Sequence, residues 1–351
     1  MKILENIIGQ PRVVTTLEKA IQTSRNPESD TQEMTHAWLF IGPPGSGKST
    51  AIKAFATALI CSRFGCTECI DCQTAMNDVH LDIENFKAEG LSIKVDEIRE
   101  LVARSMFSPA RGSRKIIIIN NIERLTEAAS NALLKVIEEP TSSTIWLLSS
   151  SSAVDVLPTL RSRCRQITFS VPNQQSIINL LKSKFGANQE TSNKIARLAQ
   201  GNISKAELLV NNSQSVLRRD EVIRLAIRIE DIPSAFKAAE ELIKIANEEI
   251  EELNYDKNEK NKLKRATIET MENYLIDIAS IFRDGLISNV GISYANTDSE
   301  FANQISSYLS RFNILERFNI LEKIEEARLR ISNGSAPIIT LEKLFSVMVS
   351  K

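Results

Sequence analysis

The sequence has few of the features that mark specialised proteins. Only five of its 351 residues are cysteine, and its 42% hydrophobic and 25% charged residues are average for a globular chain, which excludes collagen-like, disordered and disulfide-stapled classes. No apolar run approaches the roughly 18 residues that a membrane span needs. Basic (43) and acidic (44) residues nearly balance, so nucleic-acid contact would be regional. We expect a soluble, cytoplasmic protein of two or three domains.

Short apolar runs alternate with helical patterns in the first half of the chain. These runs are too short to be helices, and their largely apolar character is typical of buried strands. The alternation predicts an α/β domain built on a parallel sheet that helices cover on both sides. The predicted strands are residues 37–41, 83–86, 116–119 and 145–148.

The strand pattern ends near residue 169, and helical patterns continue from there. Pro172 disfavours helix at Val171, so this dipeptide predicts a hinge. We predict three domains. Residues 1–171 form the α/β domain with an insertion at 61–72, residues 172–212 form a small helical lid, and residues 213–351 form an all-helical domain.

A glycine-rich segment follows the first predicted strand and opens a predicted helix. Its glycines would let successive backbone N–H groups point at a phosphate chain, and the helix N-terminus adds positive potential. Lys48 would reach the β- and γ-phosphates, and Ser49 would bind magnesium. The alternative is a chance glycine-rich turn, but strand, loop and helix occur in the required order. The predicted nucleotide-binding residues are Gly42, Pro43, Pro44, Gly45, Ser46, Gly47, Lys48, Ser49 and Thr50.

Two asparagines stand where nucleotide-hydrolysing enzymes of this kind carry acidic residues. The strand at 116–119 runs into Asn120 and Asn121. Hydrolysing enzymes end this strand with an aspartate for magnesium and often a glutamate that orients water. An amide oxygen offers neither negative charge nor basicity. Glu123 is an alternative carboxylate, although its position is that of a residue approaching the next helix. The sequence predicts weak nucleotide binding or poor hydrolysis.

Four cysteines lie close together after the predicted phosphate-loop helix. Their spacing is C-x4-C-x2-C-x2-C, and four neighbouring thiolates suit tetrahedral zinc. The alternative is four reduced thiols on a helical hairpin, and His80, which precedes a strand, is expected to be structural. We predict that Zn²⁺ fixes an insertion and takes no part in catalysis. The predicted ligands are Cys61, Cys66, Cys69 and Cys72.

An arginine at the end of a short predicted helix is a candidate catalytic group. Arg163 lies in the triplet Ser162-Arg163-Cys164, at the margin of the α/β domain. An arginine placed there could reach a nucleotide held by a neighbouring subunit and neutralise charge on its transferred phosphoryl group. Taken alone, Arg163 could equally be a surface residue, since Arg161 and Arg165 flank it.

These motifs, in their order along the chain, resemble the bacterial clamp-loader branch of the AAA+ ATPases. The resemblance rests on the phosphate loop, the four cysteines, Asn131-Ala132-Leu133-Leu134-Lys135 with Glu138-Glu139-Pro140, and Ser162-Arg163-Cys164. It covers residues 1 to about 210. It implies an AAA+ α/β domain, a helical lid and a helical collar that joins five subunits into a ring.

The resemblance also implies a function and partners. Because Asn120 and Asn121 replace acidic residues while Ser162-Arg163-Cys164 is kept, the chain is similar to a non-motor, largely non-hydrolysing subunit that lends Arg163 to a motor neighbour. Ser204 or Lys205 lies near the position of a nucleotide-sensing arginine and replaces it poorly. The implied partners are gamma- and tau-type motor subunits and a delta subunit in a hetero-pentamer, the sliding clamp and primer-template DNA. The implied cofactors are structural Zn²⁺ and ATP or ADP with Mg²⁺.

Two other functions stay open on the sequence alone. One is an ATP-hydrolysing AAA+ motor or related remodelling ATPase, with Glu123 or another carboxylate completing its site. The other is a zinc-dependent nucleic-acid-binding module with a vestigial nucleotide fold, which the balanced charge opposes. The basic loop at 109–115 could touch DNA phosphates, or it could be a solvated connection. The apolar residues of the collar could be shared between subunits or form the core of a monomeric bundle; they are Tyr274, Leu275, Ile278 and Phe282.

Overall fold

The chain folds into two compact units, residues 1–211 and 212–351. The computed structural model describes residues 1–25, 34–87, 92–141, 143–211, 213–252, 260–288, 299–332 and 334–349. The predicted lid boundary at Asn212 lies outside the described residues. The predicted separation of residues 172–212 from the α/β domain stays a prediction.

Within the described residues, five parallel strands form one sheet in the first unit: β1 (Ala37–Ile41), β2 (Ile83–Phe86), β3 (Lys115–Ile119), β4 (Thr144–Ser150) and β5 (Arg165–Thr168). Their order across the sheet is β2, β3, β4, β1, β5. Leu39 of β1 lies opposite Leu148 of β4 and Gln166 of β5. The carboxyl ends of β1, β3 and β4 therefore meet at one edge, and the predicted parallel sheet is confirmed.

The described part of the first unit also contains nine helices. Local sequence sets several of their starts. Pro11 and Pro158 occupy first-turn positions, where the missing N–H costs nothing, and the side chains of Thr126, Asn173 and Asn188 accept backbone N–H groups as N-caps. The helices are α1 (Pro11–Thr23), α2 (Lys48–Ile60), α3 (Ile70–Met76), α4 (Val95–Ser105), α5 (Glu127–Glu138), α6 (Pro158–Arg161), α7 (Gln174–Phe185), α8 (Gln189–Ala199) and α9 (Ile203–Asn211). Of these, α7, α8 and α9 pack against one another. Short 3-10 helices span Lys2–Asn6 and Ile122–Arg124.

Alternate residues of the strands build two cores on opposite faces of the sheet. Trp38 and Phe40 of β1 point into one core with Phe55 of α2, and the Trp38 and Phe55 ring centroids are 5.0 Å apart. Leu39 packs into the other core with Leu133 of α5. This two-sided burial fixes β1 and α2, and with them the loop that connects them.

The second unit is helical throughout its described residues. Its helices are α10 (Ser213–Ile227), α11 (Ile232–Glu252), α12 (Lys260–Ser288), α13 (Ser299–Leu309), α14 (Ile314–Ser332) and α15 (Pro337–Val347). A helical C-terminal part is thus confirmed. Phe282 packs edge-on against Phe312 with ring centroids 5.9 Å apart. Tyr274, Leu275, Ile278 and Phe282 are at most 5% exposed within this unit, so they form its core and do not offer an apolar face to a neighbouring subunit. None of the described helices has the length and apolar character to cross a bilayer.

Candidate functional site

The predicted phosphate loop connects β1 to α2, which begins at Lys48. Two of its glycines adopt backbone angles that side chains disfavour: φ is +72° at Gly45 and +92° at Gly47. A Cβ at Gly45 would lie 1.9 Å from Oδ1 of Asn202, so this position has no room for a side chain. The glycines therefore shape a tight loop that ends at a helix N-terminus.

Lys48 and Ser46 give this loop the character of a polar cradle. The Nζ of Lys48 donates to the carbonyl oxygens of Gly42 and Pro43, the latter at 2.9 Å. Burial lowers the pKa of Lys48, and the negative charge of Glu123 partly opposes that shift. The hydroxyl of Ser46 is buried and has no hydrogen-bond partner. Because buried polar atoms are nearly always paired, an unpaired one here fits a site whose missing partner is a ligand such as a phosphate.

Gln10, which the motifs did not predict, and the start of α9 brace this loop. The buried side chain of Gln10 donates from Nε2 to the carbonyl oxygens of Ser46 at 3.3 Å and Ser170 at 2.6 Å. At the start of α9, the backbone N–H of Ile203 donates to the carbonyl of Gly45 at 2.8 Å. Ser204 lies in the first turn of that same helix. The sequence signal that could have identified Gln10 is its position directly before Pro11, which starts α1.

The ends of β2, β3 and β4 bring neutral side chains together. Asn120 donates to Oδ1 of Asn85 at 3.4 Å and accepts from the hydroxyl of Ser149 at 3.0 Å. The backbone N–H of Asn121 donates to that same hydroxyl at 3.3 Å, and Asn121 adopts a left-handed φ of +56°. The two predicted asparagines thus belong to a network of amide and hydroxyl groups that carries no charge.

Glu123 reaches the same edge of the sheet from the 3-10 helix that follows β3. Its Oε1 accepts from the hydroxyl of Ser151 at 2.9 Å and from the N–H of Ser151 at 3.3 Å. Its Oε2 is buried without a hydrogen-bond partner. The N–H of Gly42 donates to the carbonyl of Ser150 at 3.2 Å, so the segment that holds Glu123 is bonded directly to the phosphate loop.

The four predicted metal ligands converge between α2 and α3. Sulfur-to-sulfur distances are 3.6 Å for Cys61 and Cys69, 3.7 Å for Cys61 and Cys66, and 4.0 Å for Cys66 and Cys72, and all four sulfurs lie within 4.8 Å of one another. Four sulfurs at about 2.3 Å from a tetrahedral zinc would be about 3.8 Å apart. The arrangement therefore fits the size of a Zn²⁺ site.

Backbone donors lower the pKa values of Cys61 and Cys66 and so favour the thiolate form that a metal requires, whereas burial raises the pKa of Cys72. The N–H groups of Arg63, Cys69 and Cys72 point at the sulfurs of Cys61, Cys66 and Cys69, respectively, at 3.3–3.4 Å. Backbone N–H groups of Glu68 and Cys69 lower the pKa of Cys66 to about 6. His80 is outside this cluster, because its Nδ1 accepts from the N–H of Asp82 at 3.0 Å and its Nε2 lies 3.6 Å from Asp71.

Arg163 lies just beyond α6, and its side chain is 42% exposed. Its Nε is 2.6 Å from Oε1 of Glu138 at the end of α5, and its Nη1 donates to the carbonyl of Thr159 at 3.1 Å. The guanidinium is therefore held at the surface by one exposed carboxylate and one backbone carbonyl. The nearby Arg161 instead makes a hydrogen bond within the chain, from its guanidinium to the carbonyl of Ala153 at 2.7 Å.

The basic loop at 109–115 is anchored from beneath by Asp82. This carboxylate accepts backbone N–H groups of Ala110, of Arg111 at 2.9 Å and of Gly112 at 2.8 Å. The guanidinium of Arg114 donates to the carbonyl of Ser24 at 2.7 Å, while Arg111 is exposed. The loop is thus held in one conformation. Arg114 bonds to the protein backbone, and Arg111 is left exposed to solvent.

Comparison with known proteins gives the same family as the motifs. Residues 9–173 match the family described as DNA polymerase III, delta subunit. The chain is 30% identical over 222 residues to DNA polymerase III subunit delta' of Bacillus subtilis, covering 62% of this chain and 64% of that protein. It is 34% identical over 160 residues to subunit delta' of Haemophilus influenzae, with coverages of 44% and 49%. The predicted resemblance to clamp-loader subunits is confirmed, and these relatives are of the delta-prime type.

Relatives named for other subunits of DNA polymerase III also match. The chain is 31% identical over 189 residues to DNA polymerase III subunit tau of Bacillus subtilis, covering 53% of this chain and 32% of that protein. The chain thus spans between about a third and two thirds of the length of these relatives. A solved DNA polymerase III gamma subunit-related protein of Thermotoga maritima aligns with 95% of the chain and 98% of its own length, at 17% identity and a TM-score of 0.43.

Proposed function

We propose that this chain is a delta-prime-type subunit of a DNA polymerase III sliding-clamp loader. In this role it helps to load the clamp onto primer-template DNA in the cytoplasm, within a ring that also contains gamma- or tau-type motor subunits and a delta subunit. The match of residues 9–173 to the DNA polymerase III delta family carries the proposal. The relatives named delta' support the choice of subunit.

In this proposal Arg163 acts on the nucleotide of a neighbouring motor subunit. Its guanidinium is exposed and is held by Glu138, whose own side chain is 40% exposed. Exposed ion pairs of this kind contribute at most about 1 kcal/mol, so a triphosphate could displace Glu138 at little cost. A guanidinium offers planar donors for phosphate oxygens and is worth about 10³- to 10⁵-fold in rate where it stabilises phosphoryl transfer.

The chain's own nucleotide site is proposed to bind without efficient hydrolysis. The loop from Gly42 to Thr50 would hold the phosphates, with Lys48 and the helix N-terminus supplying positive charge and Ser49 a hydroxyl for Mg²⁺. The neutral network of Asn120, Asn121 and Ser149 contains no base that could activate water. A bound nucleotide would supply the phosphate groups that complete the polar cradle at Ser46.

Zinc is proposed to have a structural role. The four cysteine sulfurs would occupy all four positions of a tetrahedral ion, which leaves no open position for a substrate. This arrangement does not suit catalysis. It suits a metal that cross-links the segment between α2 and α3 and so stabilises its fold.

The arginine assignment is tested in a reconstituted loader. We expect Arg163→Ala to lower DNA-stimulated ATP turnover at the adjacent site by about 10³-fold, because the neighbour loses its charge-stabilising group. Glu138→Gln is the matched variant, since it breaks the same ion pair and keeps the arginine. The rate should persist in Glu138→Gln if Arg163 acts in trans. Equal losses in both variants, or no loss in Arg163→Ala, would contradict the assignment.

An ATP-hydrolysing motor of the gamma or tau type is the second candidate. One observation favours it: Glu123 brings a carboxylate to the segment that is bonded to the phosphate loop. Rapid ATP turnover by the purified chain, stimulated by DNA, would support this candidate over the first.

A further inference from the structure

The nucleotide site lacks a carboxylate at the position where the β3 strand ends. Asn120 is hydrogen-bonded to the side chains of Asn85 and Ser149, and the backbone N–H of Asn121 donates to the same serine. None of these groups carries negative charge. A magnesium ion bound with a nucleotide is usually held by one or two carboxylates in addition to phosphate oxygens. A retained phosphate loop therefore needs a carboxylate from elsewhere if it is to hold a metal-bound nucleotide.

The two carboxylate oxygens of Glu123 differ in their hydrogen bonding. Oε1 is fixed by two donors from Ser151, at 2.9 and 3.3 Å, whereas Oε2 is buried and accepts no hydrogen bond. A buried carboxylate oxygen without a partner is costly, because burial removes the water that would otherwise solvate its charge. Because Oε1 is held in place by Ser151, Oε2 is positioned and free to bind a cation.

Short hydrogen-bonded links connect this oxygen's surroundings to the phosphate loop. Ser151 holds Glu123, and the adjacent Ser150 accepts the N–H of Gly42 at 3.2 Å. The carbonyl of Gly42 in turn accepts from Nζ of Lys48. The charge of Glu123 also acts on Lys48, since it opposes the lowering of the lysine pKa by burial. Two independent features, connectivity and charge, thus place the carboxylate beside the loop.

We propose that Glu123 replaces the missing strand-end carboxylate and binds the Mg²⁺ of a nucleotide in this loop through Oε2, directly or through one coordinated water. The inference rests on the nucleotide-binding part of the proposed function. The ligand class is a magnesium-bound nucleoside di- or triphosphate. Sequence spacing conceals this role, because Glu123 is two residues beyond Asn121, the last position at which the strand-end carboxylate would stand.

The same geometry accounts for binding without turnover. A carboxylate that gives one oxygen to Ser151 and the other to the metal has no free oxygen for an attacking water. Glu123 would therefore restore metal affinity and leave hydrolysis impaired. This division of roles explains why the chain keeps a phosphate loop while its strand-end amides carry no charge.

The test measures nucleotide and metal binding by the purified full chain. Fluorescent ADP is titrated in excess Mg²⁺ and again in EDTA, and Mn²⁺ replaces Mg²⁺ in a parallel titration followed by electron paramagnetic resonance. We expect Mg²⁺ to strengthen ADP binding to the unaltered chain. Glu123→Gln keeps an acceptor for Ser151 and should reduce Mn²⁺ affinity in the presence of ADP by about 10-fold or more. Binding in EDTA should not change.

Matched variants separate this inference from the broader proposal. Glu127→Gln removes an equal charge from the exposed first turn of α5 and should leave both titrations unchanged. Lys48→Ala should weaken ADP binding with and without metal. If Glu123→Gln keeps the full effect of Mg²⁺ and the Mn²⁺ affinity, the inference is overturned while nucleotide binding stands. If the unaltered chain binds no ADP under either condition, the inference and the proposed nucleotide site both fail, and the role of Arg163 is unaffected.

Discussion

Asp82 shows how one buried side chain can fix a whole loop. Its carboxylate is 1% exposed and accepts three consecutive backbone N–H groups, those of Ala110, Arg111 and Gly112. Burial by itself would raise the pKa of Asp82, but these donors outweigh it and hold the pKa below its ordinary value. A lowered pKa in the folded state means that the ionised carboxylate stabilises the fold above the unfolded pKa of about 4, and that this contribution disappears as the pH falls through the folded pKa.

We predict that Asp82→Asn lowers the free energy of unfolding of the first unit by about 2–3 kcal/mol at neutral pH. The amide that replaces the carboxylate has one acceptor oxygen and turns its own N–H₂ toward backbone donors. The two tryptophans, Trp38 and Trp146, both lie in the sheet, so their fluorescence reports unfolding of this unit. The difference between variant and unaltered chain should shrink at acid pH, where Asp82 is protonated.

Asp96→Asn provides the control for this prediction. Asp96 is on α4, its side chain is 82% exposed, and it pairs with Arg99 one turn away. Exposed pairs of this kind contribute at most about 1 kcal/mol, so its loss should change stability little. Equal effects of Asp82→Asn and Asp96→Asn would show that the backbone contacts of Asp82 are energetically unimportant.

At the level of elements, the segment between α2 and α3 combines strained backbone conformations with a cluster of four thiols. Phe64, Gly65 and Thr67 adopt positive φ values of 57°, 78° and 68°, two of them on residues that disfavour this region. Four cysteine sulfurs meet at its centre. Structural zinc of this kind contributes on the order of 10 kcal/mol in small closed sites, which is enough to offset such backbone cost.

We predict one Zn²⁺ per chain, measured by atomic emission on the purified protein. Cys69→Ser should lower the zinc content and expose residues 61–72 to limited proteolysis, because the segment loses its metal clip. The sheet should remain intact by tryptophan fluorescence, since the cores that contain Trp38 and Trp146 include none of the four clustered cysteines. A metal-free chain with unchanged protease resistance would disprove the structural role of the metal.

At the scale of the whole molecule, the proposed function divides one ATPase cycle between two chains. This chain would contribute Arg163 to its neighbour's site, and its own site would bind nucleotide through Lys48 and Glu123. The neutral amides at the end of β3 then matter as much as the arginine does, because they remove the base that would let the chain act alone.

We predict that the isolated chain hydrolyses ATP about 10²- to 10⁴-fold more slowly than a motor subunit, even with saturating DNA, because it lacks a water-activating carboxylate. Phosphate release is measured on the purified chain beside Lys48→Ala, which controls for contaminating ATPases. Any activity that persists in Lys48→Ala belongs to a contaminant. Brisk turnover that Lys48→Ala abolishes would favour the motor function instead.

The sequence by itself was sufficient for features that depend on neighbouring residues in the chain. Apolar runs predicted strands at 37–41, 116–119 and 145–148, because a strand buried on both faces disfavours polar residues. The strand predicted at 83–86 also formed, but it includes Glu84 and Asn85 and lies half-buried at the sheet edge. The phosphate loop and the cysteine cluster were equally visible, since both depend on spacing within a short segment. The structure extends β4 to Thr144–Ser150 and places β5 at Arg165–Thr168, where the strand pattern ended near residue 169. Three of the four β5 residues are polar, because that strand lies at the sheet edge.

Only the tertiary structure decided which side chains meet at the edge of the sheet. The order of the strands places β4 between β1 and β3, so that Ser150 bonds to Gly42 while Ser151 bonds to Glu123. No local pattern contains that order, because sheet neighbours are distant in sequence and their pairing is set by packing of the two cores. The same reason conceals the pairing of Arg163 with Glu138 and the burial of Tyr274 within its own helical unit.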